Sequence, residues 1–169
     1  MNAPAKQRLL TLVLAGLTAI ALAVSLPGSA REAWERGGIY LFSRAFFEDL
    51  PGRLTGPGRF RFLLQPVVAV ALGIAAGRVD ARSGRPPYLI ALALRPELRA
   101  KLLRGALRDV LNLLLIGILV DSVCQWLILG ASYPGAALVV GPVLITVPYA
   151  LARALSNRAA TALDRRRAR

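Results

Sequence analysis

Histidine is absent from this chain and cysteine occurs once, at Cys124. Without His there is no imidazole for a metal centre or for Ser-His-Asp and Cys-His catalysis, and a single Cys closes no disulfide within the chain. Acidic residues are scarce as well, 9 Asp+Glu against 22 Lys+Arg, for a net charge of +13. Aromatics make up only 7% of residues although 56% are hydrophobic. So much small apolar side chain would overfill a soluble core. It suits a membrane protein whose apolar residues stand in blocks with the charges between them. No nucleophile, paired acids or metal-ligand cluster is present, so no enzyme activity, cofactor or metal is expected.

Four blocks approach the roughly 20 residues that a helix needs to cross hydrocarbon. Leu9 to Leu26 has 18 residues without Asp, Glu, Lys or Arg, closed by Pro27-Gly28. Phe62 to Gly77 has 16, Val110 to Gly130 has 21 with the single charge of Asp121, and Gly135 to Ala152 has 18. The pattern predicts an all-α single membrane domain over 1–169, with transmembrane helices at about 9–26, 62–82, 110–130 and 135–155. The first run has an alternative reading as a secretory signal, because Lys6 and Arg8 precede it and Gly28-Ser29-Ala30 offers a cleavage site. Its apolar stretch exceeds the usual h-region, which favours an uncleaved anchor.

Basic residues number 2 before the first span, 6 in the first loop, 8 in the middle loop, none in the hairpin and 6 after Ala152. Four spans place 16 on one side against 6, so both ends and the middle loop are expected in the cytoplasm. Residues 31–50 hold Trp34, Tyr40, Phe42, Phe46 and Phe47 without clean helical spacing, which predicts an interfacial segment or one packed under a partner. Residues 96–109 predict an amphipathic helix. Pro96 and Glu97 suit its start, and Leu98, Leu102, Leu103, Ala106, Leu107 and Val110 share a face opposite Lys101, Arg104 and Arg108. Arg99 breaks that pattern. The basic face is expected to meet anionic lipid headgroups.

Asp121 is the candidate intramembrane site, with Gln125 at i+4 and Ser122 beside it. A carboxylate in a span costs on the order of 2.5–3.5 kcal/mol. The favoured reading is that Asp121 pairs with an Arg or a backbone group of another helix and locks packing. The alternative is a proton- or cation-binding acid with Gln125 as its partner. Small residues at i+4, Ala69, Gly73 and Gly77 on the second span and Gly117 on the third, predict close helix packing. Arg78 and Arg82 are expected to reach the cytoplasmic interface as lipid-headgroup or docking residues. The terminal run Arg165-Arg166-Arg167-Ala168-Arg169 reads as a topology determinant and lipid anchor, and no nucleic-acid partner is expected.

The run Gly58-Arg59-Phe60-Arg61-Phe62-Leu63-Leu64-Gln65-Pro66, with Gly73, Gly77, Asp80-Ala81-Arg82 and Gly84-Arg85-Pro86-Pro87, resembles small uncharacterised bacterial inner-membrane proteins. The resemblance spans about residues 58–87 and implies a bacterial inner membrane, with no activity attached. The expected role is non-catalytic: an accessory, assembly or structural subunit packed against another membrane protein or a second copy. The alternative is a small homo-oligomeric transporter or channel with Asp121 and Gln125 on its pathway.

Overall fold

The computed structural model describes residues 3–167. Ala168 and Arg169 of the basic terminal run lie outside the described residues. The order is α1 (Ala3–Arg36), α2 (Arg44–Glu48), α3 (Leu50–Thr55), α4 (Arg61–Arg82), α5 (Tyr88–Leu94), α6 (Pro96–Leu129) and α7 (Pro134–Arg167), with no strand among the described residues. Four helices, α1, α4, α6 and α7, are long and apolar enough to cross a membrane. α4, with 22 residues, is about 33 Å long, close to the hydrocarbon thickness. The others, 34 residues each, exceed it.

All four helices outrun their charge-free blocks. α1 continues through Pro27 to Arg36. Ser25 and Ser29 donate to the carbonyls of Ala21 and Leu26 on either side of the proline. It stops at Gly37, whose φ of 68° admits the left-handed closing turn; Gly37 N–H bonds to Trp34 O and Gly38 N–H to Ala33 O. α6 joins the amphipathic segment and the third span in one rod. Arg99 has its own task here. Its guanidinium donates at 2.8 Å to the carbonyls of Leu92 and Ala93, closing the last turn of α5.

The chain divides into two compact units, one of residues 1–63 and 112–143, the other of 64–111 and 144–169. In the first unit α1 is attached sparingly. Thr11 Oγ1 donates to Asn112 Oδ1 at 2.8 Å and Thr18 Oγ1 to the Leu115 carbonyl at 3.2 Å, while only 6% of the most apolar window of α1 is buried. α6 and α7 meet at Gly117 and Gly141, where a Cβ on Gly141 would stand 3.2 Å from the Gly117 carbonyl oxygen. In the segment after α1, Tyr40 and Phe46 join a buried cluster with Tyr133 and Ala136. Tyr40 stacks on Tyr133 with centroids 3.6 Å apart, and Phe46 packs edge-on to Tyr40. Trp34, Phe42 and Phe47 stay exposed.

In the second unit α4 and α7 approach through the small-residue stripe. A Cβ on Gly73 would meet the Tyr149 carbonyl and Ala152, and one on Gly77 would meet Ser156 Oγ and the Arg153 carbonyl. Backbone cannot step aside as a side chain can, so Gly77→Val is expected to cost about 1–3 kcal/mol or more by overpacking. Gly105 has nothing within 4 Å of a built Cβ, so Gly105→Ala is expected to be neutral or to gain about 0.5–1 kcal/mol. Thermal unfolding in mild detergent measures both, and equal midpoints for the two variants would show that the stripe is not a packing surface.

Candidate functional site

Each unit buries one charge centre, and the two share a plan. In the first unit α6 carries Asp121, 1% exposed, with Arg53 of α3 and Arg61 at the start of α4 buried around it. Arg61 Nη2 lies 2.9 Å from Asp121 Oδ1, and Arg53 Nη1 lies 3.9 Å from Oδ2. Gln125 uses both ends of its amide: Nε2 donates to Asp121 Oδ2 at 2.6 Å, and Oε1 accepts from the Tyr133 N–H at 2.9 Å. One turn of α6 thereby ties the acid to the loop before α7.

Two buried guanidinium groups against one buried carboxylate leave a positive excess. Asp49 offsets it through Tyr40, whose hydroxyl accepts from Arg53 Nη2 at 3.3 Å and donates to Asp49 Oδ2 at 2.6 Å. Aromatic faces add to this, with the Arg53 guanidinium 5.6 Å from the Tyr40 ring and 5.4 Å from Phe46, and that of Arg61 4.8 Å from Phe62. Burial and the bond to Asp49 push the Tyr40 hydroxyl up to about 12, so it remains a donor throughout the physiological range. Tyr133 is likewise pushed up to about 12 by burial and by its 2.9 Å bond to Glu32 of α1. Glu32 also holds Arg36 at 2.6 Å.

Ser122 is buried, and its hydroxyl has no hydrogen-bond partner among the described residues. Cys124 is a buried thiol facing Gly58, where φ of 78° and the closeness of the sulfur both exclude a side chain. Asp121, Gln125 and Ser122 therefore occupy one stretch of α6. Only the first two are bonded to each other, and both are taken up by partners in the same chain.

The second centre is better matched. Arg153 of α7, 6% exposed, grips Asp80 of α4 with a fork: Nε donates to Oδ2 at 2.6 Å and Nη2 to Oδ1 at 3.2 Å. Its Nη1 donates to the Tyr149 hydroxyl at 2.8 Å, and that hydroxyl donates to Asp109 Oδ2 at 2.6 Å. Arg85 adds a second cation 3.2 Å from Asp80. Two Arg balance two Asp. Tyr88 covers the guanidinium at 4.7 Å, and burial raises the Tyr88 hydroxyl above its ordinary range. Asn157 Nδ2 donates to the Arg85 carbonyl at 3.1 Å, fastening the turn after α4 onto α7.

Both centres thus run carboxylate, Arg, Tyr hydroxyl, carboxylate. Arg53, Arg153, Tyr40, Tyr149 and Asp80 were not singled out as a site from sequence, because a charge at the edge of an apolar run reads as interfacial until its burial is known. One signal was available. An acid inside a span needs a nearby cation, and Arg61 stands at the edge of the preceding span.

Among the predicted headgroup residues, Lys101, Arg104 and Arg108 line one cavity of the second unit together with Asp80, Arg85 and Arg153. Arg78 and Arg82 do not line it. Both are exposed, and Arg78 borders a separate, apolar depression of α4 and α7. Ala69 is fully buried. Among the described residues no group of three His, Cys, Asp or Glu is placed to hold a metal ion. Compared with known proteins, the chain matches no protein-family model, no curated protein and no solved structure.

Proposed function

We propose that the chain is a non-catalytic multi-pass protein of a bacterial inner membrane, an accessory or structural subunit that packs against another membrane protein. The observation that carries this reading is α1. Leu12, Ile20, Val24 and Leu26 are 59–77% exposed, and the helix is held by two threonine hydrogen bonds to α6 and by the bond from Tyr133 to Glu32 near its end. A 34-residue apolar rod so lightly attached offers a long face to lipid and to a partner helix. Pairing of the buried acids supports the same role. Asp80 and Asp121 each face an Arg of their own chain, which suits a packing lock better than an ion relay.

Exposed Trp34, Phe42, Phe47 and Trp126 fit a membrane-interface belt near the ends of α1 and α6. The excess of Lys and Arg in the first turns of α1, from the end of α4 into the first turns of α6 and in the second half of α7 favours a cytoplasmic N-terminus and C-terminus.

The test is the mass and composition of the particle extracted in mild detergent. A second membrane protein in fixed ratio is the expected result, and Ile20→Arg on the exposed face of α1 is expected to release it while the chain stays folded. A particle of this chain alone would overturn the accessory reading. It would turn attention to a homo-oligomeric transporter, for which ion flux through the wild-type chain in sealed vesicles decides.

A further inference from the structure

The second unit contains a cavity of about 700 Å³. Lys101, Arg104 and Arg108 come to it from α6 at i, i+3 and i+7, one stripe of the helix. Arg85 and Arg153 also line it, with a single acid, Asp80, already gripped by both of those Arg. Lys101, Arg104 and Arg108 pair with no carboxylate among the described residues, although Glu97 lies one turn before Lys101. The remaining lining is apolar, chiefly Ala91, Leu98 and Leu102, and Gly105 leaves the wall between Arg104 and Arg108 without a side chain.

We infer that this cavity binds the phosphate headgroup of an anionic phospholipid. The inference rests on the membrane reading above. Three unpaired cations on one helical stripe match a group with several charged oxygens, and the neutralised Asp80 presents no free negative charge against it. The volume lies within the range of small-molecule sites and holds a headgroup with the first carbons of its chains. Lipid is favoured over soluble phosphate by position. Arg108 stands two residues before the apolar run that begins at Val110, the level at which a headgroup meets hydrocarbon, and Leu98 and Leu102 offer surface to acyl carbons.

The experiment uses the full chain purified in mild detergent, with phosphatidylglycerol, phosphatidylcholine or inorganic phosphate added. Native mass spectrometry counts retained lipid, and the unfolding midpoint follows each addition. One phosphatidylglycerol is expected to be retained in preference to phosphatidylcholine. Arg104→Gln is expected to weaken it about fivefold, the worth of one basic residue at an anionic headgroup. Gly105→Trp fills the cavity without changing its charge and is expected to abolish retention; Arg59→Gln, at an exposed Arg of the first unit that does not line the cavity, is expected to leave it unchanged.

Equal retention of the two lipids, or phosphatidylglycerol retention indifferent to both Arg104→Gln and Gly105→Trp, would overturn the inference. Stabilisation by inorganic phosphate alone, with nothing added by phosphatidylglycerol, would overturn the lipid source. Recovery of the chain in the soluble fraction without detergent would overturn the membrane reading itself, a separate outcome.

Discussion

Asp121→Asn is expected to destabilise the protein by about 3–5 kcal/mol, enough to remove most of the folded chain from a detergent extract. The substitution hardly changes shape. Its cost is electrostatic, because Arg61 and Arg53 remain buried beside a neutral amide while only Arg53 reaches a second carboxylate, through Tyr40. The double variant Asp121→Leu with Arg61→Leu removes both members of the closest pair. It is expected to recover much of the loss, since a buried ion pair replaced by apolar groups is often neutral. Fluorescence-detected size-exclusion after heating gives the midpoints for a double-mutant cycle. Additive losses in the double variant would mean that Asp121 and Arg61 do not stabilise one another. A wild-type midpoint for Asp121→Asn would rule out the packing-lock role.

Arg153→Met should be comparably damaging in the second unit, again about 3–5 kcal/mol, for the opposite reason. It strands negative charge: Asp80 loses its fork, and Asp109 loses the cation 3.6 Å away together with the donor to Tyr149. Arg85 limits the loss at Asp80 but is more than half exposed and holds only one carboxylate oxygen. Arg153→Lys keeps the charge without the planar fork, so about 1.5–3 kcal/mol is expected, the worth of one charge-assisted hydrogen bond. If Arg153→Lys matched Arg153→Met, charge would contribute nothing. If it matched wild type, the fork geometry would be immaterial.

The similarity of the two centres has a physical basis. A guanidinium offers five donors in one plane, more than a single carboxylate accepts. In each unit a tyrosine hydroxyl accepts from one of the surplus donors and donates its own hydrogen bond to a second acid, so one buried Arg is served by two carboxylates. Tyrosine suits this position because its ring also lies within cation–π distance of the guanidinium it serves, 5.6 Å for Tyr40 and 5.8 Å for Tyr149.

The four long helices and the all-α class were legible from residue order alone. Charge-free length is a local property, and a buried backbone without water leaves the helix as its way to satisfy its own polar groups. Helix ends were less legible. α1 passes Pro27, where a proline followed by glycine reads in sequence as a helix end. The small-residue stripe of Gly73 and Gly77 was visible as a packing face, but not that α7 of the same chain fills it.

Pairing lay further out of reach. Asp121 announces a need for a cation, yet 20 of the 22 basic residues are Arg and composition does not choose among them. The choice depends on how each helix is rotated about its axis and how far it slides along its neighbour. Those two quantities bring Arg153 to Asp80, 73 residues away, and leave Arg78 in the open next to Gly77. They are set by many weak contacts acting together, with glycines fixing how near the backbones come. The segments able to enter a membrane follow from hydrophobic run length and the distribution of Lys and Arg; which charges end up buried, and against which partners, follows from packing between helices distant in the chain.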